Sequence, residues 1–144
     1  MRILGLALAA LAIANPFVVR SGAHLTLDGK PFRFGGANVE WLGVSDYGPA
    51  SPREPRYPTH AEVDSALATA KQLGARVVRS QTLADSVGCA VCIEPAPHTF
   101  NEAALEHVDY AVAAARKRGL RLIATIVGDD DAAGGSGCVY LGWR

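Results

Sequence analysis

Asn38, Arg79, Gln81 and Asp129 each follow a short run of residues suited to a β-strand. Asn38 ends the run Arg33-Phe34-Gly35-Gly36-Ala37, Arg79 and Gln81 follow Val77-Val78, and Asp129 follows Arg121 to Val127. Val77 and Val78 have stiff, β-branched side chains, and parallel strands covered on both faces read as continuous apolar runs. The carboxyl ends of such strands are where parallel α/β proteins bind ligands. Trp41 and Tyr47 lie on the long segment after Asn38. Neutral amides, one guanidinium and flat aromatic faces suit a polyhydroxylated ligand such as a sugar. A guanidinium can also hold a carboxylate in a fixed orientation.

Other chemistry is less well supported by spacing. Asp129-Asp130-Asp131 lacks the alternating oxygen-ligand pattern of a calcium loop, and reads as a solvated or backbone-capping turn. His24, His60, His98 and His107 show no metal-ligand spacing and no H-E-x-x-H motif occurs, so no metal or other cofactor is expected. Cys89-Ala90-Val91-Cys92 has a redox-like spacing but lies in a Pro-rich segment well before the helix start at Asn101. A redox-active thiol needs a helix N-terminus to lower its pKa, which argues against that role. Cys89, Cys92 and Cys138 are disulfide candidates, and a bridge from Cys138 to either of the pair leaves an odd thiol.

The elements that must position these residues follow from local signals. His24 to Leu27 and Pro31 to Phe34 flank Asp28-Gly29-Lys30, a strong hairpin signal, and the second arm is expected to run on to Asn38. Thr59 with Glu62 forms a capping box, after which Val63, Ala66, Leu67, Ala70 and Leu73 make an apolar stripe ended by Gly74. Asn101 caps a second helix with Leu105, Val108, Val112 and Ala115 as its expected buried face, closed by Arg116-Lys117-Arg118-Gly119. Arg121 to Val127 reads as a further buried strand. The order is hairpin, strand, helix, strand, helix, strand, which implies right-handed parallel βαβ units. Long segments follow the strands, and short ones return from the helices. That asymmetry predicts an α/β fold made of the N-terminal βα units of a (β/α)8 TIM barrel preceded by a β-hairpin, with the barrel incomplete in this chain. A doubly wound sheet is the alternative, but Gly35-Gly36 lacks the G-x-G-x-x-G spacing of a dinucleotide site.

The chain has 144 residues, 49% of them apolar, and 14 basic residues balance 14 acidic ones. That composition suits a globular domain. No basic cluster interleaves with aromatic residues, so no nucleic-acid partner is expected. Met1-Arg2 followed by the apolar run Ile3 to Ala14 and a small-x-small site at Ala12-Ile13-Ala14 reads as a signal peptide over residues 1–14. That run is shorter than the roughly 20 residues needed to span a bilayer. Residues 15–144 are thus expected to be the secreted part, extracellular or periplasmic, with no membrane association once the signal is removed.

Leu25-Thr26-Leu27-Asp28-Gly29-Lys30-Pro31-Phe32-Arg33-Phe34-Gly35-Gly36-Ala37-Asn38 resembles the opening of glycoside hydrolase family 5, especially its endo-β-1,4-mannanase-like branch. Gly74 to Leu83 resembles that family's second strand, and Asn101 to Val127 its second helix and third strand. The resemblance implies a (β/α)8 barrel with a retaining mechanism. It uses an acid/base glutamate after strand four and a nucleophilic glutamate after strand seven, with carboxyl groups about 5–5.5 Å apart. It makes Arg79 the arginine that supports the nucleophile, and places Asn38 and Trp41 at the sugar-binding end of strand one. The one Asn-Glu pair, Asn101-Glu102, caps a helix, so both glutamates are expected beyond Arg144 and the chain alone is expected to be inactive. The expected substrate is a β-linked plant or microbial polysaccharide, β-mannan being one candidate, with the sugar and linkage left open. Two other readings are a secreted carbohydrate-binding module without catalysis and, ranked behind it, a metal-binding acidic loop.

Overall fold

The computed structural model describes residues 17–47 and 51–127. The chain divides into two compact units, Met1–Arg33 and Phe34–Arg144.

In the first unit, β1 (Val19–Ser21), β2 (His24–Leu27) and β3 (Lys30–Pro31) form an antiparallel sheet in that order. Asp28 and Gly29 turn the chain between β2 and β3 with φ of 51° and 72°. Both lie in the left-handed region that a tight hairpin turn requires, which Asp tolerates and Gly adopts freely. The second arm does not run on to Asn38 as expected. β3 ends at Pro31, and Gly36–Asn38 is a separate strand, β4, in another sheet.

The second unit alternates β4, α1 (His60–Gln72), β5 (Val77–Ser80), α2 (Glu102–Lys117) and β6 (Arg121–Ala124). Its sheet has the order β4-β5-β6, all parallel, with Asn38 opposite Arg79 and Arg79 opposite Ile123. α1 starts with the expected capping box, in which Thr59 and Glu62 satisfy each other's backbone N–H groups. Asn101 caps α2 by accepting from Ala103 N at 3.2 Å. Gly74 and Gly119 close the two helices with φ of 84° and 67°, conformations that disfavour any side chain.

Val77 and Val78 are both buried, as their run predicts. Successive strand residues point to opposite faces. Val78 packs into the core with Leu67 and Ala111 from the two helices, beside Ala37 and Leu122. Gly36, Asn38, Val77, Arg79 and Ile123 share the other face. Two stripe assignments change. Leu73 is the C-cap of α1 and is 80% exposed, because the helix ends before its position can turn inward. On α2 the buried residues are Ala104, Ala111, Ala114 and Ala115, while Val112 is 46% exposed. A thin layer of small side chains lies between this helix and its neighbours, and the larger valine is rotated out of it.

Candidate functional site

Arg79 is the penultimate residue of β5 and Asn38 the last of β4. Parallel register sets them side by side, and Arg79 Nη1 donates to Asn38 Oδ1 at 3.3 Å. Both are exposed at the carboxyl end of the sheet. They rim a shallow hollow of about 250 Å³ whose apolar floor includes Phe34, Val77 and Ile123. Gly36 permits this close strand pairing, since a Cβ there would lie 2.9 Å from the Val77 carbonyl oxygen.

The loop after β4 is pinned to the end of β5. Ser80 Oγ and Thr82 Oγ1 donate to the Glu40 carbonyl at 3.0 and 3.1 Å. Ser80 Oγ also accepts from Leu42 N at 3.3 Å, and Thr82 Oγ1 accepts from Gly43 N and Val44 N at 3.2 and 3.0 Å. Both hydroxyl residues are buried. A Cβ at Gly43 would collide with the Thr82 carbonyl oxygen, so only glycine fits there. The sequence reading did not single out Ser80 and Thr82. Their signal is the alternation Arg79, Ser80, Gln81, Thr82, which puts two small hydroxyls on the face opposite Arg79.

Tyr47 also serves the scaffold. Its hydroxyl donates to the Val87 carbonyl at 3.1 Å and accepts from Val87 N at 3.0 Å, tying the first loop to the second. Burial pushes the phenol above its ordinary pKa, the Val87 hydrogen bond opposes this, and nearby Asp85 adds to it. In the second loop Cys89 and Cys92 are bonded to each other. Asn101 Nδ2 braces that loop by donating to the Ala90 carbonyl and to Tyr57 Oη, both at 3.1 Å. The pairing was open in the sequence, and Cys138 lies outside the described residues.

Asn38 and Arg79 are thus brought together, with Gln81 half-buried two residues beyond Arg79. Trp41 lies elsewhere. It lines two hollows of about 480 and 450 Å³ against α1, the first shared with Asn38 and both bordered by Ala66. Asp129 and the signal-like residues 1–14 lie outside the described residues. Among the described residues, no three His, Cys, Asp or Glu side chains converge as metal ligands, and no helix is long and apolar enough to cross a membrane.

Near the start of α1, Arg56 makes a two-pronged contact with Glu62, at 3.0 and 2.8 Å, and also reaches Asp46 at 3.3 Å. The Arg56 hydrogen bonds, helped by those from Thr59, lower the Glu62 carboxyl from 4.5 to about 2. Farther along, His60 stacks on Tyr110 and Tyr57 on His107, with ring centroids 3.5 and 4.1 Å apart. Burial first, then the neighbouring His60, lowers the His107 pKa, while Glu106 opposes.

A cation–amide pair stands at the carboxyl end of an open parallel sheet, with loops pinned to the strand ends, which is the end where α/β proteins place their ligands. The chain is 34% identical over 134 residues to mannan endo-1,4-beta-mannosidase 2 of Oryza sativa subsp. japonica, covering 93% of this chain and 28% of that relative. It is 31% identical over 129 residues to mannan endo-1,4-beta-mannosidase 4 of Solanum lycopersicum, covering 90% and 30%. Among solved structures it matches an endo-1,4-beta-mannanase from Rhizomucor miehei with a TM-score of 0.68 and 26% identity, over 88% of this chain and 33% of the other. The fold is also that of a glycoside hydrolase family 5 mannosidase from Rhizomucor miehei, with a TM-score of 0.62 at 21% identity. No family model matches the chain. It therefore resembles glycoside hydrolase family 5 mannanases over their N-terminal part only, spanning 28–30% of the length of these curated relatives.

Proposed function

We propose that this chain is the N-terminal part of a secreted glycoside hydrolase that cleaves a β-linked polysaccharide, β-mannan being the favoured substrate. The observation that carries this reading is the Arg79–Asn38 pair at the carboxyl end of the parallel sheet. The similarity to mannan endo-1,4-beta-mannosidases supports it. In this reading the sheet β4-β5-β6 begins a (β/α)8 barrel, residues 1–14 are a signal peptide, and the exposed face carrying Phe34 and Ile123 becomes barrel interior. The face exposed here is the one on which Arg79 stands.

The mechanism is retaining. One glutamate attacks the anomeric carbon and the other protonates the leaving oxygen, then deprotonates the water that releases the sugar. In this reading both belong to strands four and seven, beyond the three parallel strands of the described residues. Arg79 holds the nucleophilic carboxylate ionised and aimed, a task that suits a guanidinium better than a lysine ammonium because its donors form a fixed fork. Asn38, Gln81 and Asp129 bind sugar hydroxyls, and Trp41 contributes an aromatic wall at the strand-one end.

The test is recovery of the native protein from the secreted fraction, with intact mass and hydrolysis of β-mannan and β-glucan measured together. Mannan hydrolysis by a species heavier than 15.1 kDa supports the reading. A mature species of this chain's mass less its signal, binding mannan without cleaving it, overturns the reading in favour of a carbohydrate-binding module.

A further inference from the structure

Two histidines from neighbouring helices stand together in the second unit. His60 is the first residue of α1, and His107 lies in the second turn of α2. Their ring centroids are 6.2 Å apart, with the ring planes inclined at 62°. Each ring is backed by a tyrosine that is itself held at its hydroxyl. Tyr110, hydrogen-bonded to Asp64, stacks on His60, and Tyr57, which accepts from Asn101 Nδ2, stacks on His107. Stacking covers a ring's face and leaves its edge, where the nitrogens are. Among the described residues neither imidazole makes a hydrogen bond or an ion pair. His60 is exposed and His107 half-buried, so both are within reach of a small solute.

Interhelix packing accounts for the two stacks, but it gives the ring nitrogens no partner. Spacing and charge suggest one. A divalent ion bound at about 2.0–2.1 Å to one nitrogen of each ring would hold the centroids about 5–6.5 Å apart. The observed separation lies in that range, so the rings need only turn about their own side-chain bonds and the helices need not move. Glu106 is close enough to His107 to draw a cation toward it, while Arg118, beside Tyr110, is paired with Asp64 at 3.0 Å. Burial and His60 outweigh Glu106 and keep His107 below 6.5, so at pH 7 its ring is largely neutral and a lone pair is available. We propose that His60 and His107 form a two-ligand site for a divalent transition-metal ion of the zinc, nickel or copper type, with water completing the coordination. Imidazole suits these ions, whereas magnesium and calcium prefer oxygen ligands. With two protein ligands the site is weaker and more exchangeable than a four-ligand structural zinc site. The bound ion clips the first turn of α1 to the second turn of α2, and binding to the folded chain alone stabilises it. This inference stands on the ring geometry and not on the proposed hydrolase activity.

The experiment titrates the full chain with Zn²⁺ at neutral pH, by calorimetry and by thermal melts, with Mg²⁺ as the comparison ion. Saturable Zn²⁺ binding that raises the melting temperature is expected, with no such effect from Mg²⁺. His60→Phe and His107→Phe each keep a ring against the tyrosine and remove one ligand. Either should weaken Zn²⁺ binding about tenfold or more, since even the outer partner of a metal ligand is worth roughly 10–100-fold. His24→Gln, in the first unit, should bind like the parent and serves as the control for zinc held by other histidines. Circular dichroism checks that each variant folds. In the unsubstituted chain, the His60 and His107 ring signals in the NMR spectrum should move at lower Zn²⁺ than those of His24 and His98. Absence of saturable Zn²⁺ binding overturns the proposal, as does binding unchanged in both phenylalanine variants or weakened equally by His24→Gln. Ring signals of all four histidines moving together overturn it as well, and Mg²⁺ binding as tightly as Zn²⁺ overturns the choice of ion.

Discussion

Arg79 and Asn38, 41 residues apart in sequence, meet as donor and acceptor because the β4–β5 register sets them opposite each other. The contact is exposed, so it orients the guanidinium more than it stabilises the fold. Asn38→Ala is expected to change unfolding free energy by no more than about 1 kcal/mol. Under the proposed hydrolase reading, Arg79→Lys in the full-length protein keeps the charge but loses the planar fork, and kcat/KM on β-mannan should fall on the order of 10²-fold. An unchanged kcat/KM would remove Arg79 from the machinery.

The chain by itself should hydrolyse neither β-mannan nor β-glucan, measured as release of reducing ends. β4 and β6 are both outer strands of their sheet, and Phe34 and Ile123 are 42% and 45% exposed on one face. Among the described residues these are edge strands beside a partly exposed apolar face, and such features favour association. Light scattering should therefore show self-association that grows with concentration. A monomer with one cooperative thermal transition would argue against this.

Local spacing made several elements readable. Thr59 and Glu62 announced α1, Asn101 announced α2, and Val77-Val78 announced a buried strand, because each signal depends on residues a few positions apart. Leu73 fitted the same stripe, yet the backbone leaves the helix at that residue and turns it to solvent. Val112 failed for another reason. Packing depends on the space between elements, and α2 fills it with alanines. The site was half legible. Period-two reasoning could place Arg79 on one face of a strand, and could have flagged Ser80 and Thr82 on the other. No local pattern could show that Asn38 lies beside Arg79, or that Trp41 lies against α1, since both follow from how distant segments come together.

The Thr82 hydroxyl is a strong point of the scaffold. It accepts from two backbone N–H groups in buried surroundings and donates to the Glu40 carbonyl in a half-buried one. Thr82→Val keeps the shape but strands Gly43 N and Val44 N, and should cost about 2–4 kcal/mol. Gly43→Ala forces a Cβ against the Thr82 carbonyl and should cost about 1–3 kcal/mol by overpacking. Thermal melts followed by circular dichroism check both. A melting temperature unaltered in either variant would mean that the loop after β4 is not held in this way.

Acid should destabilise the chain in two stages. The folded state lowers the His107 pKa below 6.5, so as pH falls through 6.5 the unfolded chain takes up that proton first and stability declines. Glu62 titrates near 2 when folded and near 4.5 when not, so its contribution is complete above 4.5 and is lost as pH falls from there toward 2. Glu62→Gln removes the charge that Arg56 grips with two hydrogen bonds. Its melting temperature should be lower than the parent's at neutral pH and should converge with it progressively as pH falls from 4.5 toward about 2. His107→Phe keeps a ring against Tyr57 without the proton site, and should flatten only the upper stage. Parallel curves for parent and Glu62→Gln across the acid range would show that the Arg56 pair carries none of the acid sensitivity.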